Sequence, residues 1–171
     1  MNTSSISQTY FYKLSVLTPA LQEMLIEQNF QWHITANFNR VTTPSNGRDK
    51  LKAWSSFIDR KLLGRNYYKK PENQRLFFVA IPEVGAGSTH LHYHLLAKLP
   101  ESRHEQFPQI AEATWKHFVP AGSLYVQQIA NTAEDLQRVV AYDIKDIWKQ
   151  NNFDNFFFST EFSSQQKEKT K

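Results

Sequence analysis

Residues 90–99 read His-Leu-His-Tyr-His-Leu-Leu-Ala-Lys-Leu, and the first six alternate imidazole with apolar side chains. Only the two-residue period of a strand sends His90, His92 and His94 to one face and Leu91, Tyr93 and Leu95 to the other. A fold built on such a strand keeps one face in a core and leaves the other polar. Residues 75–82 (RLFFVAIP) predict a second strand. The glycine-containing stretch 83–89 lies between the two, so the pair is expected to form an antiparallel hairpin with a long loop.

The remaining pattern alternates between helix and strand. Thr18 and Pro19 read as an N-cap and first helical residue, opening a short helix to about Asn29. A first strand is expected over 32–39 and a loop at Ser45-Asn46-Gly47. Leu51, Trp54, Phe57, Ile58 and Leu62 then recur at helical spacing up to Gly64, a C-cap. Pro108 opens a helix carrying Ile110, Ala113, Trp115 and Phe118, and residues 123–130 predict a strand. Thr132 with Asp135 resembles a capping box, opening a helix expected to reach about Gln150. The aromatic stretch 153–162 is expected to pack back on the domain. The class is α+β with a mainly antiparallel sheet, as one domain over residues 1–162 and a polar, disordered tail over 163–171.

Composition narrows the partners. With 171 residues, 40% hydrophobic and 21% charged, the chain can bury one core. A net charge of +4 and a pI near 9.2 favour an anionic partner. No cysteine is present, which excludes thiolate metal sites, disulfides and cysteine nucleophiles and fits a reducing compartment. Neither a secretion signal nor a membrane span is evident, so a cytoplasmic protein is expected, or a nuclear one in a eukaryotic host. Arg60, Lys61, Arg65, Lys69 and Lys70 surround Tyr67 and Tyr68 at the exit of the second helix. They make either a solvated basic face or a nucleic-acid contact.

The histidine face is the first candidate for chemistry. Two imidazoles two residues apart on a strand suit a shared divalent ion, and Glu83 at the hairpin offers a carboxylate as third ligand. Such a set leaves positions open for a substrate oxygen and water. His92 with His94 is the preferred pair, and His90 with His92 the alternative. The second candidate lies on the helix opened by Thr132. Leu136, Val140, Ile144 and Ile147 form its apolar stripe, while Arg138, Tyr142, Lys145 and Lys149 lie off it. A phenol among cations suits presentation to an anion. Those charges favour phenolate and offset negative charge on a phosphodiester under attack.

Together these motifs resemble the HUH superfamily of rolling-circle replication initiators, in the single-tyrosine form. Ile34-Thr35-Ala36-Asn37-Phe38 resembles the first motif, and His92-Tyr93-His94 the His-hydrophobic-His motif, with Glu83 upstream. Val139-x-x-Tyr142-x-x-Lys145 resembles the Tyr-x-x-Lys helix. The resemblance covers residues 30–150. It implies a ferredoxin-like domain that holds Mn²⁺ or Mg²⁺ and nicks single-stranded DNA at a replication origin. Tyr142 would form a 5′-phosphotyrosine and Lys145 would assist. The basic residues above, with Arg138 and Lys149, would then bind DNA, and Trp32 or Tyr68 would stack on bases.

No helicase-like domain and no phosphate-binding glycine loop follow. The resemblance therefore implies either a nickase that borrows a host helicase and polymerase or a piece of a longer protein. A single-tyrosine transposase or a relaxase fits the same motifs. Outside the family stand two rivals: a cupin-like metal enzyme using the histidine strand, and a non-catalytic nucleic-acid-binding domain. The first predicts no role for Tyr142, and the second predicts no metal requirement.

Overall fold

The computed structural model describes residue 9 and residues 12–84, 90–149 and 152–162. The expected tail and most of the hairpin loop lie outside the described residues. The α-helices are α1 (Thr18–Glu27), α2 (Pro44–Leu63), α3 (Phe107–Phe118) and α4 (Ala133–Ile144). Five strands, β1 (Trp32–Asn37), β2 (Phe77–Val84), β3 (Leu91–Lys98), β4 (Ser123–Gln128) and β5 (Phe157–Phe158), form one sheet in the order β4-β1-β3-β2-β5. Each neighbouring pair is antiparallel. The run β1-α2-β2-β3-α3-β4 is the split βαβ arrangement of ferredoxin-like domains. A cupin-like reading of the histidine strand needs two facing sheets or a closed barrel. The described residues form a single sheet with helices on both faces.

Alternation along the strands divides the core in two. Trp32, Ile34 and Ala36 of β1 and Leu91, Tyr93 and Leu95 of β3 pack with Trp54 and Ile58 of α2 and Ala111 and Trp115 of α3. Trp54 is fully buried and donates its indole N–H to the Ala111 carbonyl at 2.9 Å, so its polar atom is satisfied inside the core. On the opposite face Val79, Ile81 and Leu96 meet Leu25 of α1 and Leu136, Val140 and Ile144 of α4. Residues of β1 and β3 that point toward this second face are therefore covered by α4 or left at its edge.

Several boundaries differ from the sequence expectation. Helix α2 begins at Pro44, with Thr43 capping the Asn46 N–H at 3.2 Å, so Ser45-Asn46-Gly47 is its first turn and no loop. Gly47 is required there by close approach, since a Cβ would stand 2.8 Å from the Tyr93 ring. Gly64 ends the helix as expected, at φ 84°. Thr18 is no N-cap: a π-helical segment, Lys13–Leu17, precedes it, and its hydroxyl donates back to the Lys13 carbonyl at 2.9 Å. Helix α4 keeps its predicted cap, with Thr132 accepting from the Asp135 N–H, but stops at Ile144 and not near Gln150. Beyond it the chain makes i→i+3 turns, such as Ile147 N–H to the Ile144 carbonyl, and Ile147 stays buried. The aromatic stretch packs back through β5 against Val79 and Ala80.

Candidate metal centre

Strand register assembles the first part of the site. Glu83 pairs directly with His92, and Ile81 with His94, so Glu83 sits on the histidine face, directly across from His92 and diagonally across from His94. Strand β2 runs through Pro82 to Val84, which places Glu83 inside the sheet and not in the loop. Its Oε2 lies 3.0 Å from His94 Nε2 and 3.7 Å from His92 Nε2. Ligand atoms of these three residues all fall within 4.8 Å of one another, a spacing that suits a single ion. Burial lowers the His92 pKa, and the neighbouring His94 adds to this while Glu83 opposes it. The imidazole is thus neutral near pH 7, with a lone pair to offer.

His90 is not brought to this group. Strand β3 begins at Leu91, so the alternation expected to align three histidines starts one residue too late, and His90 is exposed ahead of the strand.

The tyrosine helix closes over the same face. Tyr142 is 53% exposed, yet its ring meets the His94 ring edge-on at a centroid distance of 5.8 Å. Lys145, at the C-cap of α4, puts Nζ 3.6 Å from the centre of the Tyr142 ring and 3.6 Å from Glu83 Oε2. Partial burial pulls the Lys145 pKa down, but a hydrogen bond with Tyr142 and the Glu83 charge outweigh it and raise the pKa, so the ammonium is secure. A phenol, an ammonium and a carboxylate-imidazole cluster thus stand together on one face of the sheet.

Two residues at this site escaped the sequence reading. Asp143, next to Tyr142, turns inward with its side chain fully buried. Its Oδ1 lies 3.0 Å from His33 Nε2 and 3.5 Å from His94 Nδ1, while the His33 and His94 rings stack at 5.5 Å. His33, His94 and Asp143 form a second group able to hold a metal ion, again within 4.8 Å. Both had a visible signal. Asp143 falls inside the apolar stripe of α4, where a carboxylate must have a partner, and His33 shares the period-two face of Thr35 and Asn37.

Other predicted residues lie elsewhere. Arg60 and Lys61 sit in the last turn of α2, the helix on the opposite face of the sheet from the histidines. Arg65, Lys69 and Lys70 follow in its exit, around the 3₁₀ turn Tyr67–Lys69, with Lys69 over the exposed Tyr68 ring. That basic patch is therefore separated from the site by the sheet. Arg138 is drawn to Asp135, and Lys149 pairs with Asp146 at 2.7 Å beyond the end of α4, and both side chains stay mostly exposed. Trp32 offers no stacking surface, because it is buried against His104 and Phe107.

The polar surface that does adjoin the site belongs to β1 and β4. The register lines up Tyr125, Thr35 and His94 in one row and Ser123, Asn37 and His92 in the next. Tyr125 is 61% exposed on this edge strand. No protein-family model matches the chain, and no curated protein or solved structure matches it.

Proposed function

We propose that this protein is a metal-dependent single-strand DNA nickase and strand transferase that works through a covalent Tyr142 intermediate, as rolling-circle replication initiators do. The observation that carries the reading is the convergence of Tyr142 on His94 while Lys145 spans Tyr142 and Glu83. A tyrosine exposed by chance on a helix has no reason to meet a metal-ligand set and a shared cation.

Glu83, His92 and His94 would hold the ion. Two neutral imidazoles and one carboxylate suit Mn²⁺, and Mg²⁺ where its abundance prevails. When bound, it supplies Lewis-acid polarisation of a scissile phosphate. Tyr142 Oη attacks the phosphorus, and the bond to the 3′ oxygen breaks as the new one forms. The phenol gives up its proton to solvent and the leaving oxygen takes one up. A 5′-phosphotyrosine and a free 3′-OH result. Attack by another 3′-OH reverses the step and joins strands, so transfer and cleavage are one chemistry. Lys145 offsets charge on the phosphate and holds it beside Tyr142.

The polar rows of β1 and β4 offer the incoming strand a track, with the Tyr125 ring as a stacking platform. The basic exit of α2 lies on the far side of the sheet, so under this reading it serves flanking DNA and not the scissile nucleotide.

Incubation with labelled single strands and Mn²⁺ tests the proposal, using a random-sequence pool together with strands flanking the gene. A denaturing gel should reveal a covalent protein–DNA product that disappears with EDTA and in Tyr142→Phe. DNA binding indifferent to metal, with no covalent product from either substrate set, would favour a non-catalytic binding domain instead.

A further inference from the structure

The second carboxylate at the site, Asp143, has no part in the chemistry above, yet it is the most deeply buried charge-bearing group there. Its side chain is wholly enclosed and that of His94 nearly so. His94 Nδ1 and Asp143 Oδ2 are both buried without a hydrogen-bond partner. Enclosing such atoms without a partner is costly. His94 Nδ1 lies 3.5 Å from the other oxygen of the same carboxylate, Oδ1, slightly long for a hydrogen bond.

A neutral imidazole has one lone pair and one N–H. If His94 gives its Nε2 lone pair to an ion shared with Glu83 and His92, its proton must sit on Nδ1, which points at Asp143. The carboxylate then accepts that N–H, and His33, whose Nε2 lies 3.0 Å from the same Oδ1, holds the carboxylate in place. We infer that Asp143 is a positioning residue: it fixes the ring and tautomer of His94 for metal binding through Nε2, and it locks α4 against β1 and β3 so that the adjacent Tyr142 stays at the site. This rests on the proposed metal-binding role of His94. It also accounts for a carboxylate inside the apolar stripe of α4, since Asp143 joins the nucleophile helix to the metal strand.

The rival is a second ion held by His33, His94 Nδ1 and Asp143. Both sets need a lone pair of the same imidazole. One neutral His94 can therefore serve only one of them at a time.

Mn²⁺ titration of the full chain, followed by the electron-paramagnetic signal of the free ion, separates the outcomes. One ion per chain is expected in the wild type. Asp143→Asn should weaken binding about 10- to 100-fold, the usual effect of losing a carboxylate behind a ligating histidine. Thermal unfolding reports whether the variant is folded. A wild type that binds no Mn²⁺ would remove the metal reading itself. A folded Asp143→Asn with unchanged affinity would overturn the positioning role alone, and two ions per wild-type chain would overturn it in favour of a second site. A further test needs no variant: nitrogen NMR of the Mg²⁺-loaded wild type should find the His94 proton on Nδ1. Finding it on Nε2 would refute the inference.

Discussion

Under the proposed function Lys145 would oppose the ion and assist the nucleophile, and its removal should separate the two effects. In Lys145→Met the side chain keeps its length and loses its charge. The ammonium stands 3.6 Å from Glu83 Oε2, where a unit-charge pair in a water-like dielectric is worth about 1 kcal/mol. Its side chain is 38% exposed, so screening lowers this to about 0.5–1 kcal/mol. Glu83 relieved of that partner should bind Mn²⁺ roughly two- to fivefold tighter, because 1.4 kcal/mol corresponds to about tenfold. Covalent product formation should fall by about a hundredfold at saturating metal, as when one donor to a developing oxyanion is removed. Mn²⁺ titration and a gel-based rate, measured on the same preparation, give both numbers. Unchanged or weaker metal affinity would refute the idea that Lys145 and the ion compete for Glu83. A rate that stayed at the wild-type level would remove Lys145 from the chemistry.

Two further outcomes follow from the geometry. His90→Ala should leave the Mn²⁺ dissociation constant within about twofold, whereas His92→Ala and His94→Ala each remove a proposed ligand and should weaken binding more than Asp143→Asn does, beyond about a hundredfold; equal effects of all three would return His90 to the ligand set. Burial pushes the Tyr93 hydroxyl up to about 12. The folded protein keeps that proton while the unfolded chain releases it near pH 10, so stability present below pH 10 is lost as pH rises toward 12, by about 3 kcal/mol over the window. Urea unfolding of wild type against Tyr93→Phe isolates the effect, and a difference that does not change between pH 9 and 12 would contradict it.

The strands were legible because period two is hard to imitate. The alternation in β3 put His92 and His94 opposite Leu91 and Tyr93, and the hairpin put Glu83 beside them. The cap of α4 was legible from Thr132 and Asp135. The opening of α2 was not. Ser-Asn-Gly has the composition of a turn, and the reason for Gly47 lies in a Tyr93 ring 46 positions later in the chain. The end of α4 was obscured because apolar spacing continues through tighter turns to Ile147. His33 and Asp143 meet across 110 positions, a distance no local pattern spans. The position of the basic cluster was hidden for a related reason: composition reports charge, but only the packing of α2 on the other face of the sheet decides where that charge stands.

Under the proposed function Tyr142, and no other tyrosine, becomes bonded to DNA. Tyr125 is the informative competitor, being more exposed and on the same face of the sheet. Protein trapped with a labelled single strand and Mn²⁺ should be digested with nuclease and protease, and the nucleotide-bearing peptide sequenced by mass spectrometry. The expected result is a phosphotyrosine linkage on the peptide containing Tyr142. A linkage at Tyr125 or at any other residue would contradict it.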